Sequence, residues 1–177
     1  MLTEAISLSI RPEMCTFCRA CELACSFVKE GVYSPTLSRI QVMHDYTNGV
    51  SVPIACVNCA HAPCIEACPS EAIARDEQGI VHLDQNLCNA CEACVEACPY
   101  GAVFMPYGHD VAMMCDLCGG DPACVPSCIY GALRFERQPD MLFSALTLEQ
   151  QADAVSKRWA IAKAISERMR KAGEVQA

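Results

Sequence analysis

Sixteen cysteines fall into four compact quartets, and none lies outside one. The first quartet is Cys15, Cys18, Cys21, Cys25, spaced C-x2-C-x2-C-x3-C, and the third, Cys88, Cys91, Cys94, Cys98, repeats that spacing. In the second, Cys56, Cys59, Cys64, Cys68, the middle gap widens to four residues; in the fourth, Cys115, Cys118, Cys124, Cys128, it widens to five. Thiols packed this closely along a chain suit a shared metal centre better than bridges between distant strands. Whatever else the chain does, it must fold around four such knots.

Three thiolates from one tight loop, with a fourth a helical turn further on, form the ligand pattern of cubane 4Fe–4S clusters. Zinc ribbons and knuckles instead split their ligands into two C-x2-C pairs across a longer spacer. Four quartets therefore predict four 4Fe–4S clusters, with a structural zinc scaffold as the alternative of another class. In two-cluster arrangements the fourth cysteine of each motif ligates the other cluster of the pair. Cys68-Pro69 and Cys98-Pro99 share a C-P signature, which Cys25-Ser26 and Cys128-Ile129 lack. The second and third quartets also stand only 19 residues apart. The expected pairing is second with third and first with fourth. The expected ligand sets are Cys15, Cys18, Cys21 with Cys128; Cys115, Cys118, Cys124 with Cys25; Cys56, Cys59, Cys64 with Cys98; and Cys88, Cys91, Cys94 with Cys68.

The chain repeats itself around these knots. CPSEAI from Cys68, CPYGAV from Cys98 and CIYGAL from Cys128 each lead from the last cysteine through turn residues into an apolar segment. The three residues before that cysteine read as the first turn of a short helix. Strand candidates are Gly79-Ile80-Val81-His82-Leu83 and Ala132-Leu133-Arg134-Phe135. The insertion 26–55 carries Asn48-Gly49 between Ile40-Gln41-Val42 and Val50-Ser51-Val52, a hairpin signal. Pro53 marks the second arm as an edge strand. The fold class is α+β. An outer ferredoxin-like unit takes 1–55 and 105–139, a central one takes 56–104, and a tail takes 140–177.

In the tail, Leu148, Ala152, Val155, Trp159, Ala162, Ile165 and Met169 recur at helical spacing. Lys157, Arg158, Lys163, Arg168, Arg170 and Lys171 take other positions. An amphipathic helix of ~20 residues follows, packed either on its own body or on a partner with Trp159 as anchor.

Composition sets the remaining bounds. One Trp, five Phe and five Tyr make a thin core, so bound clusters are expected to serve as core and the metal-free chain to be largely unfolded. With 13 basic against 21 acidic residues the formal charge is −8, and each oxidised cluster with four thiolates adds about −2. Such a surface excludes nucleic acid as a natural partner and favours a protein with a basic patch. No apolar run is long enough to span a membrane. The start of the sequence has no secretory signature, and a reducing cytoplasmic setting is expected. His61, Glu66, Glu92 and Glu96 read as solvated residues, and His44, His82 and His109 form no ligand set. No nucleophile–base pair, phosphate loop or flavin fingerprint is present, so the expected role is electron transfer without catalysis.

The stretch from Cys15 to about Phe135 resembles the four-cluster iron–sulfur subunits of the dimethyl-sulfoxide-reductase and hydrogenase-accessory type. That resemblance implies two bacterial-ferredoxin-like domains with the same pairing. C-R-A-C-E-L-A-C-S-F-V-K-E-G from Cys18 to Gly31, followed by Pro35-Thr36-Leu37-Ser38-Arg39-Ile40, resembles the electron-transfer subunits of tungsten aldehyde:ferredoxin oxidoreductases, and also those of carbon monoxide dehydrogenases. The first likeness implies a tungsten- or molybdenum-pterin catalytic subunit as partner, with a flavin subunit or ferredoxin beyond it; four clusters exceed what a single short relay needs, which leaves room for further copies of the chain in a longer cluster chain. Relays of carbon monoxide dehydrogenase, hydrogenase or formate dehydrogenase, or a freely diffusing polyferredoxin, are the other readings. Membrane-anchored relatives often carry a hydrophobic C-terminal helix, and this tail is polar instead.

Overall fold

The computed structural model describes residues 6–137 and 153–173. Its elements are β1 (Ile6–Ile10), α1 (Ala20–Glu30), β2 (Gln41–Asp45), β3 (Val50–Ile54), α2 (Pro63–Glu66), β4 (Ile73–Arg75), β5 (Val81–Leu83), α3 (Ala93–Ala97), β6 (Leu133–Arg137) and α4 (Ala154–Ala172). Short 3-10 turns at Pro12–Met14, Pro35–Leu37 and Leu117–Gly120 connect them. The strands form three two-stranded antiparallel sheets, β1 with β6, β2 with β3 and β4 with β5.

Each sheet closes a different distance in sequence. The β1–β6 ladder sets Leu8 opposite Phe135 and Ile10 opposite Leu133, joining the segment before the first quartet to the one after the fourth. The β4–β5 ladder, Ile73 opposite Leu83, joins the second quartet to the third. The hairpin expected in the insertion forms as β2–β3, with Asp45 opposite Val50 across a Tyr46–Gly49 turn. Pro53, opposite Val42, occupies an edge strand where its missing N–H interrupts no second ladder. The expected short helices appear as α2 and α3; the matching stretch of the fourth quartet is a series of turns.

The apolar residues gather in two clusters. One joins Leu8, Ile10, Val42, Val50, Val52 and Ile54 to Ile161, Ala162, Ile165 and Met169 of α4. The other centres on Ile73, Val81, Val95, Val103, Phe104 and Met113. The C-terminal helix therefore lies against its own body, on the hairpin. It runs 19 residues, opened by Asp153, whose carboxylate accepts from the Val155 and Ser156 amides, and closed by left-handed Gly173.

Ala162, Ile165 and Met169 of the expected stripe are buried, but the first turns of the helix present a different face. Val155 and Trp159 are exposed, while Lys157 and Arg158 are buried. The Lys157 Nζ donates to the Val95 and Glu96 carbonyls at 2.9 and 2.7 Å, at the C-terminal end of α3, and the Arg158 guanidinium donates to the Gly101 carbonyl at 2.9 Å. Cations at these carbonyls satisfy groups that short turns leave open. Gly101 sits in the left-handed region at φ +61°, and a Cβ there would lie 2.2 Å from the Ala154 carbonyl oxygen, so the start of α4 fits only a glycine at this position. Leu148 and Ala152 lie outside the described residues.

Candidate metal centres

The four cysteine loops share one backbone device. Two residues after the first cysteine the chain turns left-handed, at Phe17 (φ 59°), Asn58 (49°), Ala90 (57°) and Leu117 (52°). In the two C-x2-C-x2-C loops a second left-handed residue follows the middle cysteine, at Arg19 and Glu92, and in the fourth loop Gly119 takes that place. Non-glycine residues adopt this region at a cost, and such strain concentrates at sites that need it. Here it turns amide N–H groups toward sulfur. The Asn58 amide donates to Cys56 Sγ and the Leu117 amide to Cys115 Sγ, both at 3.4 Å, and the Phe17 amide donates to Cys15. The Arg39 amide donates to Cys25 Sγ at 3.3 Å. Amides aimed at sulfur stabilise thiolate and set the electronics of a bound cluster.

All sixteen thiols are free. Their neighbours follow the fold's long-range closures. A cavity is lined by Cys15, Cys18, Cys21 and Cys128, with Met14, Val42, Pro53 and Tyr130 around them. Burial pushes the Cys21 thiol up to about 12, with Glu22, Cys15 and Cys128 adding to it. Burial raises Cys115 to about 12, with Cys25 as the leading like charge. Cys124 is raised by burial and then by Cys115, Cys25 and Cys21. Burial raises Cys64 to about 11, next to Cys98, Cys59 and Cys94. Cys94 is raised by burial to about 11, with Cys68, Cys88 and Cys91 around it. Cys68 runs the other way: its burial is outweighed by the Ser70 hydroxyl and the Ser70, Ala72 and Ile73 amides, which hold it below the usual thiol value.

This donor set fits a cationic iron–sulfur body. Buried thiols that raise one another stay protonated unless a positive centre replaces the protons. Among the described residues, no three His, Cys, Asp or Glu side chains converge closely enough to hold a single metal ion. Four thiolates around one zinc would lie about 3.8 Å apart, from a Zn–S bond of ~2.3 Å and tetrahedral geometry. Thiols that share an electrostatic field without meeting at one point suit a larger cluster.

Two loops carry scaffolding that the cysteine spacing does not announce. Asn58 is buried and bonds in four directions: its side-chain N–H groups donate to the Ile6 and Gly79 carbonyls, and its Oδ1 accepts from the Val81 amide and Arg75. Asparagine tolerates the left-handed backbone this hub needs. Glu22 is fully buried beside Cys21; its Oε1 accepts from the Val42 amide at 2.7 Å and its Oε2 from the Arg19 guanidinium at 2.5 Å. The C-x2-C spacing holds no signal for either role, although Asn in the second loop, where Phe, Ala and Leu stand in the others, hints at one. Phe17 stacks on His44 at 4.6 Å, tying the first loop to the hairpin. His61, Glu66, Glu92 and Glu96 are exposed, as expected of solvated residues. An open groove of about 640 Å³ lies between the hairpin turn and α4, lined by Asp45, Asn48, Trp159 and Lys163, away from every thiol. Among the described residues no helix is long and apolar enough to cross a membrane.

Comparison with known proteins places these loops. Over 91 residues the chain is 43% identical to the polyferredoxin-like subunit of aliphatic sulfonate oxidoreductase from Pyrococcus furiosus, covering 51% of this chain and 52% of that one. It is 36% identical over 85 residues to the thiosulfate reductase electron transfer subunit PhsB of Salmonella typhi, covering 44% of each. Over 79 residues it is 35% identical to formate hydrogenlyase subunit 2 of Escherichia coli, covering 45% of this chain and 37% of that one. The match spans about half the length of these relatives, or less. Among solved structures, the active site complex BamBC of benzoyl coenzyme A reductase with zinc aligns at a TM-score of 0.46 and 21% identity, covering 94% of this chain and 90% of that one. Residues 47–138, just over half the chain, match the 4Fe-4S dicluster domain. With sixteen cysteines in four motifs, the complement of four 4Fe–4S clusters, the chain is an iron–sulfur electron-transfer protein and belongs to the 4Fe-4S dicluster domain family.

Proposed function

We propose that the chain is the electron-transfer subunit of an oxidoreductase complex whose catalytic subunit holds a tungsten or molybdenum pterin, an aldehyde oxidoreductase by its sequence likeness. Electrons then continue to a flavin subunit or ferredoxin. The ligand sets are those read from the sequence: Cys15, Cys18, Cys21 with Cys128; Cys115, Cys118, Cys124 with Cys25; Cys56, Cys59, Cys64 with Cys98; Cys88, Cys91, Cys94 with Cys68. The clusters supply reversible one-electron storage, and the chain supplies their order and insulation.

One observation carries this reading: neighbouring thiols link the four loops to one another, and the two exposed cysteines lie in different loops. Cys64 is near enough to Cys94 to feel its charge, which joins the second loop to the third. Cys56 feels Cys115, which joins the second to the fourth, and Cys124 feels Cys21, which joins the fourth to the first. The loops thus follow one another as third, second, fourth, first. Only two of the sixteen cysteines are exposed, Cys91 in the third loop and Cys18 in the first. Those are the two ends of the series, where an electron would enter and leave. A continuous series open at both ends suits a relay between two partners, or end-to-end stacking of copies, better than a scaffold. The names of the relatives, an aliphatic sulfonate oxidoreductase subunit among them, support a place in such a complex.

The test is anaerobic affinity capture of the full chain from its native host, with iron, sulfide, tungsten, molybdenum, nickel and zinc measured on the eluate. The expected result is about sixteen iron per chain, with tungsten or molybdenum and a large partner. Iron with nickel would move the assignment to a hydrogenase or carbon monoxide dehydrogenase relay. Zinc without sulfide would overturn it.

A further inference from the structure

We infer that the chain's own charged side chains make the second-loop cluster the strongest electron acceptor of the four and the first-loop cluster the weakest. The first electron to enter then rests inside the molecule and not at an exposed end. The inference depends on the reading of the four loops as cluster sites in the order given above. It adds a thermodynamic profile that this order alone does not supply.

The potential of a cluster follows the charge and dipoles around it, and a fixed charge acts most strongly where water cannot screen it. At the first loop the fixed charge beside the thiols is the Glu22 carboxylate, which directly follows Cys21 in α1 and is fully buried. Its counter-ion does not cancel it. The Glu22 side chain is 0% exposed, whereas that of Arg19 is 42% exposed. Water screens the cation and leaves the anion to act on the cluster. An added electron is therefore disfavoured at this end.

At the second loop the fixed charges are positive. The Arg75 guanidinium donates to the Cys59 carbonyl at 2.5 Å, the Gly79 carbonyl at 2.6 Å and Asn58 Oδ1 at 3.1 Å. These acceptors are neutral, so its charge stays available to the cluster. Arg158, buried on α4 and bonded to the Gly101 carbonyl, brings a second cation, which acts more on Cys98 than on Glu22. Lys157 donates to the Val95 and Glu96 carbonyls, between Cys94 and Cys98, so its charge is shared between the third-loop and second-loop clusters. The tail helix thus contributes charge to the central pair as well as packing.

The other two loops fall between. At the fourth, Lys29 and Asp116 lie 2.6 Å apart, both partly buried, and their charges offset each other. At the third, Glu92 and Glu96 are exposed and screened. Since the second loop is interior to the series, a singly reduced chain keeps its electron one step from the Cys91 end and two from the Cys18 end.

The test is an EPR-monitored redox titration of the anaerobically reconstituted full chain and three variants. Glu22→Gln should raise the lowest of the four midpoints by about tenfold in reduction equilibrium, about 59 mV for one electron. Arg19→Gln should move the same midpoint down by a smaller amount, since water already screens most of that cation. Arg75→Gln should lower the highest midpoint and leave the lowest unchanged. A merely structural role for Glu22 and Arg19 would shift one midpoint in the same direction in both variants, and that result would overturn the inference, as would an Arg75→Gln shift confined to the lowest midpoint. Should Glu22→Gln fail to hold iron, the other two variants decide the question by the same signs. A wild-type chain with fewer than four one-electron waves would instead overturn the cluster assignment beneath it.

Discussion

The outer and central loop pairs solve one problem over very different chain lengths. The second and third quartets stand 19 residues apart, and a three-residue ladder, β4 with β5, is enough to join them. The first and fourth stand at opposite ends of the cysteine region and need the five-residue β1–β6 ladder, the β2–β3 hairpin, the Lys29–Asp116 bridge and the back of α4. Their cores differ accordingly. The outer one has Ile10, Ile40, Val52, Ile54, Ile161 and Ile165 among its members, while the central one mixes Ile73, Val81, Val95 and Val103 with Ala62, Ala102, Ala112 and Ala154. Closing a longer loop costs more chain entropy, and the longer closure is the one with the larger apolar face. The central pair, closed by a three-residue ladder, is expected to depend more on bound clusters.

Iron removal should expose that difference most. After chelation under reducing conditions, β4 and β5 should lose amide-exchange protection entirely, while β2, β3 and the α4 residues against them keep part of theirs. Hydrogen exchange by mass spectrometry reads this directly, and equal loss in both regions would break the comparison. Next in size is Gly101→Ala, which forces a Cβ into the Ala154 carbonyl at a left-handed position. It should cost about 3 kcal/mol, and since ~2–4 °C accompanies each kcal/mol in a chain of this length, the thermal midpoint should fall by roughly 6–12 °C. Asn58→Ala should cost about 2 kcal/mol, because the buried Val81 amide loses its side-chain acceptor and Arg75 loses a partner. The loss should appear as faster release of iron, measured by bleaching of visible absorbance in chelator. Lys29→Met should be the mildest, about 0.5–1 kcal/mol, since both partners of that bridge remain partly in water; a larger loss in urea unfolding would mean that the outer pair depends on it more than its apolar core suggests.

Much of this molecule is written in its cysteine spacing. The hairpin, the repeat, the short helices after the loops and the placement of strands near Val81 and Leu133 follow from local rules that act over a few residues. What the sequence hides is decided by tertiary closure. Helical periodicity put Trp159 on the buried stripe and Arg158 off it, because a hydropathy pattern weights side chains by composition. The fold weights them by what they meet. Arg158 and Lys157 meet open carbonyls at Gly101, Val95 and Glu96 and are buried, and Trp159 faces a groove and stays half-exposed. Glu22 looks like any acidic residue in the first turn of a helix until the hairpin brings the Val42 amide to it across 20 positions. The left-handed residues are equally silent, since Phe, Asn, Ala and Leu share no side-chain chemistry that would announce a common backbone geometry.

The pairing of β1 with β6 also sets a timetable for synthesis. β1 leaves the ribosome early, but its partner strand is not available until residue 137 has emerged. At roughly 5–20 residues per second that wait is on the order of ten seconds. The β4–β5 ladder is complete within moments of its first strand. During the interval the first quartet waits without the strand that follows the fourth, while the ladder joining the second quartet to the third is already complete. Closure along the growing chain thus runs from the middle outward, and the N-terminal segment is the last to find its partner strand.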